Sequence, residues 1–229
     1  MEPSPDVPQW VISTIAVVFL IGIFTLIGYF YYRDKRRWER FAKRLGFKVH
    51  EFDSGSVTIP EEFHLKDCWR GEGHIRRTAE GSREGATAAI VEYGFHGNKG
   101  ESVGYPLHLV YLRIARLGLP LFHLQPEKWR HRLAEVLGSR DVDFPESSRF
   151  SRRFRLRGLD EPGIRKTFTE PVRRFFEHHP GTFCEGYEDI LIYYRPTRML
   201  RLFKFRPTHA ERLLREALEV VNLFREQNP

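Results

Sequence analysis

The chain has 229 residues, with 37 Lys or Arg against 30 Asp or Glu, which leaves room for one good-sized core or two small ones beyond any membrane segment. Its two cysteines, Cys68 and Cys184, exclude a disulfide scaffold, and in a reducing compartment both are expected as free thiols. Every basic residue follows residue 32 and faces 28 of the acids there, a net of +9, which asks for an anionic partner: lipid headgroups first, nucleic acid second.

Residues 11–32 read VISTIAVVFLIGIFTLIGYFYY without a charge. As a helix they reach roughly 33 Å, against about 30 Å of bilayer hydrocarbon, and a helix satisfies every backbone polar group internally. Trp10 stands at one end and Tyr29, Phe30, Tyr31 and Tyr32 at the other, where amphipathic rings prefer the interface. A cleaved leader would open with basic residues, whereas this one holds Glu2 and Asp6. The reading is a short extracytoplasmic tail over 1–9 and a transmembrane helix over 10–32. Residues 33–44, RDKRRWERFAKR, carry seven basic residues, which place the amino terminus outside and the large domain in the cytoplasm.

Strong helix formers carry the helix on through a basic juxtamembrane stretch, 33–46, to Gly46, a natural stop. Trp38, Phe41 and Leu45 share one face of it, which can lie on the membrane surface or dock on the domain. Residues 47–229 form the soluble part. Strands are expected over 47–52, 75–78, 87–95, 107–117 and 121–124, with links too short for crossover helices, hence an antiparallel meander. Pro126 opens a helix to Leu137. A polar link at 139–149 is a candidate split into two subdomains. Phe150–Leu156 is read as a strand. A helix capped by Asp160 follows, kinked or split by Pro171. A hairpin pairs 182–184 with 190–194, and 199–205 is a further strand. Thr208 and Glu211 fit a capping box for a last helix whose stripe is Leu214, Ala217, Leu218, Val221 and Phe224. That helix packs on the sheet or binds a partner. The fold class is α+β: one amino-terminal transmembrane helix, then a mainly antiparallel sheet domain with packed helices.

Two short echoes, LFHLQP at 121–126 and LFKFRP at 202–207, raise the question of a duplicated strand–helix unit. The stretches LPLFHLQPE at 119–127, DVDF at 141–144 and FSRRFRLRGLDE at 150–161 resemble a set of bacterial single-pass membrane proteins with a domain of unknown function. The resemblance implies one anchored domain and no activity.

The chemical motifs are thin. GFHGNKGESVG at 94–104 lacks the GK[ST] that a phosphate loop needs. His64, Cys68 and His74, or His178, His179 and Cys184, lack the tight pair spacing of zinc ligands, so no metal or cofactor is expected. Glu61 with Glu62 reads as a loop, and Asp141 with Asp143 as a solvated link. The arginines are the clearest feature: Arg149, Arg152, Arg153, Arg155 and Arg157 in one group, Arg195, Arg198, Arg201, Lys204 and Arg206 in another. The interleaved Phe150, Phe154, Tyr193, Tyr194 and Phe203 could stack bases, but half-buried strands need such residues in the core. The contacts expected with an anionic surface are Arg33, Lys35, Arg36, Arg37, Arg152, Arg153 and Arg155. The functional expectation is an anchored, non-enzymatic module meeting lipid or a protein partner. A tethered enzyme with an unrecognised site, or a nucleic-acid-binding domain, is the alternative.

Overall fold

The computed structural model describes residues 8–51, 55, 57–63, 72–96, 107–127, 140–196 and 205–226. Helix α1 runs unbroken from Gln9 to Leu45, 37 residues, or roughly 55 Å at 1.5 Å per residue. It is exposed along its apolar part and long and apolar enough to cross a membrane, with a mean hydropathy of 2.6 over its most apolar window. It stops at Gly46, whose φ of 71° is the left-handed conformation that costs glycine little. Gly46 N–H donates to the Lys43 carbonyl and Phe47 N–H to the Ala42 carbonyl, satisfying the last turn.

Among the described residues nine strands form one sheet: β1 (Lys48–Glu51), β2 (Glu72–Arg83), β3 (Ala86–His96), β4 (Leu107–Arg113), β5 (Leu119–Pro126), β6 (Arg140–Asp141), β7 (Phe154–Gly158), β8 (Phe183–Glu188) and β9 (Ile190–Tyr194). Their order is β1-β2-β3-β4-β9-β8-β5-β7-β6, and every pairing is antiparallel. The meander expected from the short links is present in β1 to β4. β2 and β3 join through Glu84 and Gly85, both with positive φ, the two-residue turn whose twist suits a hairpin. The sheet runs on across 139–149, because β4 pairs with β9 and β5 with both β7 and β8.

Among the described residues four further helices follow: α2 (Ser148–Ser151), α3 (Glu161–Thr167), α4 (Glu170–His178) and α5 (Pro207–Arg225). Asp160 caps α3 by accepting the Gly163 N–H at 3.0 Å, and Pro171 stands in the first turn of a separate α4, as the split-helix reading expects. α5 buries Leu214, Ala217, Leu218, Val221 and Phe224 and packs on β4 and β9. One face of the sheet carries the larger core, with Phe122, Phe150, Phe154, Phe168, Phe176 and Phe224 in mutual ring contact. The other face carries Val91, Leu109, Tyr111, Phe183, Ile192 and Tyr194, with Val57 and Phe63 over it. Burial on both faces explains the uninterrupted apolar runs of β3, β4 and β9.

Three local expectations change. Pro126 is still strand, paired with Phe154, and Glu127 follows it in a 3-10 turn; the helix expected from there to Leu137 lies outside the described residues. Phe150 sits in α2, because Ser151 Oγ accepts the Phe144 N–H and closes a turn there; the strand begins at Phe154. The first strand of the hairpin runs on to Glu188, so the turn narrows to Asp189, while the second is Ile190–Tyr194 as expected. The capping box is not formed: α5 starts at Pro207, two residues early, so Thr208 is already inside it and Glu211 pairs with Arg44. Residues 199–204 of the expected 199–205 strand, and 202–204 of the second echo, fall outside the described residues, while Phe205 and Arg206 are coil and Pro207 opens α5.

Candidate functional site

The best-built polar feature is the seam where α1 leaves its apolar stretch and enters the domain. Trp38 and Phe41 are almost fully buried and Ala42 lies beside them. The juxtamembrane face therefore docks on the domain and does not lie on the membrane surface. Trp38 packs on Phe205 at 4.0 Å between centroids and on His108 at 5.9 Å, and Phe41 meets Phe205 at 5.0 Å. Asp34 accepts the Phe205 N–H at 2.9 Å, tying the chain before α5 to the first turn past Tyr32.

Opposite Asp34, β2 carries a bulge between Ile75 and Arg77. An extra residue in one strand re-aims side chains: here Arg76 and Arg77, though consecutive, both reach Glu92, at 3.8 Å each. Gly94 leaves the room for this, since a Cβ there would overlap the Arg76 stem. Arg77 also lies 3.7 Å from Asp34 and its guanidinium stands 5.6 Å from the Trp38 ring. Trp38 Nε1, Arg77 Nε and Nη1, and Glu92 Oε2 are buried with no hydrogen-bond partner among the described residues. Burial raises the Glu92 carboxyl above the usual carboxylate range against the pull of Arg77 and Arg76. His108, level with Glu92 on β4, is pushed down to about 4, by burial first and then by His209 and Arg77.

The sequence-derived surface cations divide by environment. Arg33 and Arg36 are exposed and Arg37 half-buried. Arg36 donates to the Tyr32 hydroxyl at 2.7 Å, and Lys35 pairs with Glu51 at 3.2 Å. Arg152 is exposed, and Arg153 donates to the Glu177 carbonyl. Arg155 lies 3.4 Å from Asp141 and 3.6 Å from Glu127, and Arg157 2.6 Å from Asp141. Arg149 is on α2, so it does not share their strand face. Phe150, Phe154, Tyr193 and Tyr194 are all core; Arg198, Arg201, Phe203 and Lys204 lie outside the described residues, as do His64 and Cys68.

Two other buried clusters were not legible as motifs. Glu216 of α5 accepts from the Tyr193 hydroxyl at 2.9 Å and from Arg195 at 3.0 Å, while Arg195 also donates to Thr182. Burial drives the Tyr193 hydroxyl far above its ordinary value. On the opposite sheet face, His123 Nδ1 lies 3.0 Å from Glu185, which also accepts from the Tyr194 hydroxyl at 3.3 Å. Neither cluster is local in sequence, so spacing cannot reveal it. One readable signal existed: Glu92 follows Ala88 and Ile90 in the alternation that faces the core. Cys184 is a buried free thiol whose pKa burial raises well above normal. Among the described residues no group of His, Cys, Asp and Glu could hold a metal ion.

No protein-family model matches the chain, and no curated protein matches it. A solved structure, the mycobacterial trehalose monomycolate transport factor A, TtfA, is similar in fold: TM-score 0.53 at 13% identity, covering 84% of this chain and 92% of that one.

Proposed function

We propose that this chain is a non-enzymatic, membrane-anchored module that holds a basic α+β domain in a fixed pose at the cytoplasmic face of a bilayer, where it meets anionic lipid or a protein partner. The observation that carries this reading is the continuity of α1. A helix long and apolar enough to span becomes, without a break, a core element of the domain through Trp38, Phe41 and Ala42. A flexible tether would serve an enzyme that needs only to stay near a membrane; a rigid stem suits a module whose position is its function. The fold neighbour is a transport factor, which is compatible with an accessory role of that kind. Cytoplasmic placement rests on the basic run at 33–44.

A reporter fused after Pro229 should be active only in the cytoplasm, and protease added to intact cells should leave the domain whole. Digestion of the domain from outside would overturn the placement. The enzyme reading keeps one specific support, the buried His123–Glu185–Tyr194 cluster. The nucleic-acid reading is weakened, since Phe150, Phe154, Tyr193 and Tyr194 are committed to the core and cannot stack bases.

A further inference from the structure

Residues far apart in sequence come together around α1 just past its apolar stretch. Helix α1 and strand β2 run side by side in the same direction: Asp34 lies beside Arg77, and Arg83 donates to the Leu45 carbonyl. Those contacts span 11 helical residues, roughly 17 Å, against six strand residues, roughly 20 Å. The Arg77 end of β2 therefore points along α1 toward its apolar stretch. Arg76 belongs to that end, turned to the seam by the bulge and 43% exposed at its side chain. Arg206 belongs there too, since Phe205 is bound to Asp34 and Arg206 is exposed. Arg33, Arg36 and Arg37 lie within five residues of Tyr32, under about 8 Å of rise, which is one Debye length at physiological salt.

Among the described residues the acids at this level are engaged: Asp34 with Arg77, Glu92 with both Arg76 and Arg77, and Glu51 with Lys35. That leaves the cations in excess. Arg152 and Arg153 precede β7, six strand steps from β2. At roughly 20° of twist per step the sheet has turned by about 120° over that distance, so their end of β7 does not share the direction of α1.

We propose that Arg33, Arg36, Arg37, Arg76 and Arg206 form a collar around α1 that binds the phosphates of anionic lipid headgroups; this rests on the anchored reading above and names its lipid partner. Guanidinium groups suit the task because their planar donors match phosphate oxygens in pairs. The collar also gives the bulge and Gly94 a purpose, since in a regular β2 consecutive residues face opposite ways and only one of Arg76 and Arg77 would reach the seam.

The test uses the full chain in uncharged detergent micelles. Native mass spectrometry compares added phosphatidylglycerol, phosphatidylcholine and inorganic phosphate across ionic strength. The collar predicts tighter binding of phosphatidylglycerol than of the other two, weakening as salt rises. Arg76→Gln with Arg206→Gln should weaken it about 30-fold, from about a fivefold loss per basic residue, while Lys at both positions should retain most of it. Because Arg76 touches the core, Arg33→Gln with Arg206→Gln, both exposed, is the second variant and should lose as much. Arg152→Gln with Arg153→Gln should change nothing. Undiminished binding in either collar variant, equal binding of phosphatidylcholine, or inorganic phosphate binding as well as the lipid would each overturn the proposal. Topology is read separately by the reporter and protease, so a domain found outside that still prefers phosphatidylglycerol sinks the placement and leaves the collar standing.

Discussion

Trp38 shows at the scale of one residue why the seam holds. Its ring touches Phe41, His108 and Phe205, three separate parts of the chain, and Arg77 stands over it. Trp38→Ala should cost about 3–5 kcal/mol, the range for emptying a large aromatic site. A fall in the thermal unfolding midpoint of the full chain in detergent measures it. His108 makes the same site sensitive to acid. Burial, with His209 and Arg77 adding to it, holds its imidazole at about 4 rather than 6.5. Between those values the unfolded chain takes up a proton that the folded one refuses, so stability is full above 6.5 and falls as pH drops toward 4. The loss across that interval is about 3 kcal/mol. His209 is lowered by burial and by Arg212 and Arg195, and acts with the same sign. Glu92, raised by burial, acts with the opposite sign just above 4.5, where the folded state keeps its proton longer than the unfolded one. Unfolding midpoints at pH 7.5 and 5 should therefore differ more in the native chain than in His108→Gln; equal differences would refute the assignment.

At the scale of elements, close packing between strands leaves little slack. Gly158 on β7 faces the Leu121 carbonyl of β5 and the Ile164 side chain of α3 so closely that a Cβ would overlap both. Backbone cannot step aside as a flexible side chain can, so Gly158→Ala should destabilise the domain by about 3 kcal/mol or more. Urea unfolding measures this, and a loss under about 0.5 kcal/mol, the level of an ordinary surface change, would contradict the packing. The elements that could be read from sequence are those whose signal is local. The α1 run, the Gly46 stop, the alternation of β3 and β4, the Asp160 cap and the α5 stripe all carry their own periodicity or cap chemistry. Those misread have a tertiary cause. Phe150 looks like strand because its neighbours are arginine and phenylalanine, yet a hydrogen bond from Phe144 to Ser151 closes a helical turn there. The Trp38, Phe41 and Leu45 face was legible, but its covering partner Phe205 is 167 residues after Trp38, so sequence leaves membrane and domain equally open. The seam's polar half was hidden for the same reason, because Arg77, Glu92 and His108 meet only through strand register.

At the scale of the whole molecule, one helix sets the pose of everything else. Burying Trp38 and Phe41 removes on the order of 350 Å² of apolar surface, worth on the order of 8 kcal/mol, far above thermal energy. Swinging the domain off its stem therefore requires unfolding the seam. If the module works by position, a flexible insert of Gly and Ser between Tyr32 and Arg33 should leave the domain folded and anchored while abolishing its function in cells; function left intact would contradict the reading. The most direct test of the rigid stem is a distance measurement across the seam in lipid nanodiscs. Cysteines replace Phe24 in the apolar stretch and Leu159 on the exposed rim, with Cys68 and Cys184 replaced by Ala, and both sites are spin-labelled for pulsed electron resonance. A continuous stem predicts a single narrow distance distribution that the flexible insert broadens. A broad distribution in the uninterrupted chain, no narrower than that of the insert, would contradict it.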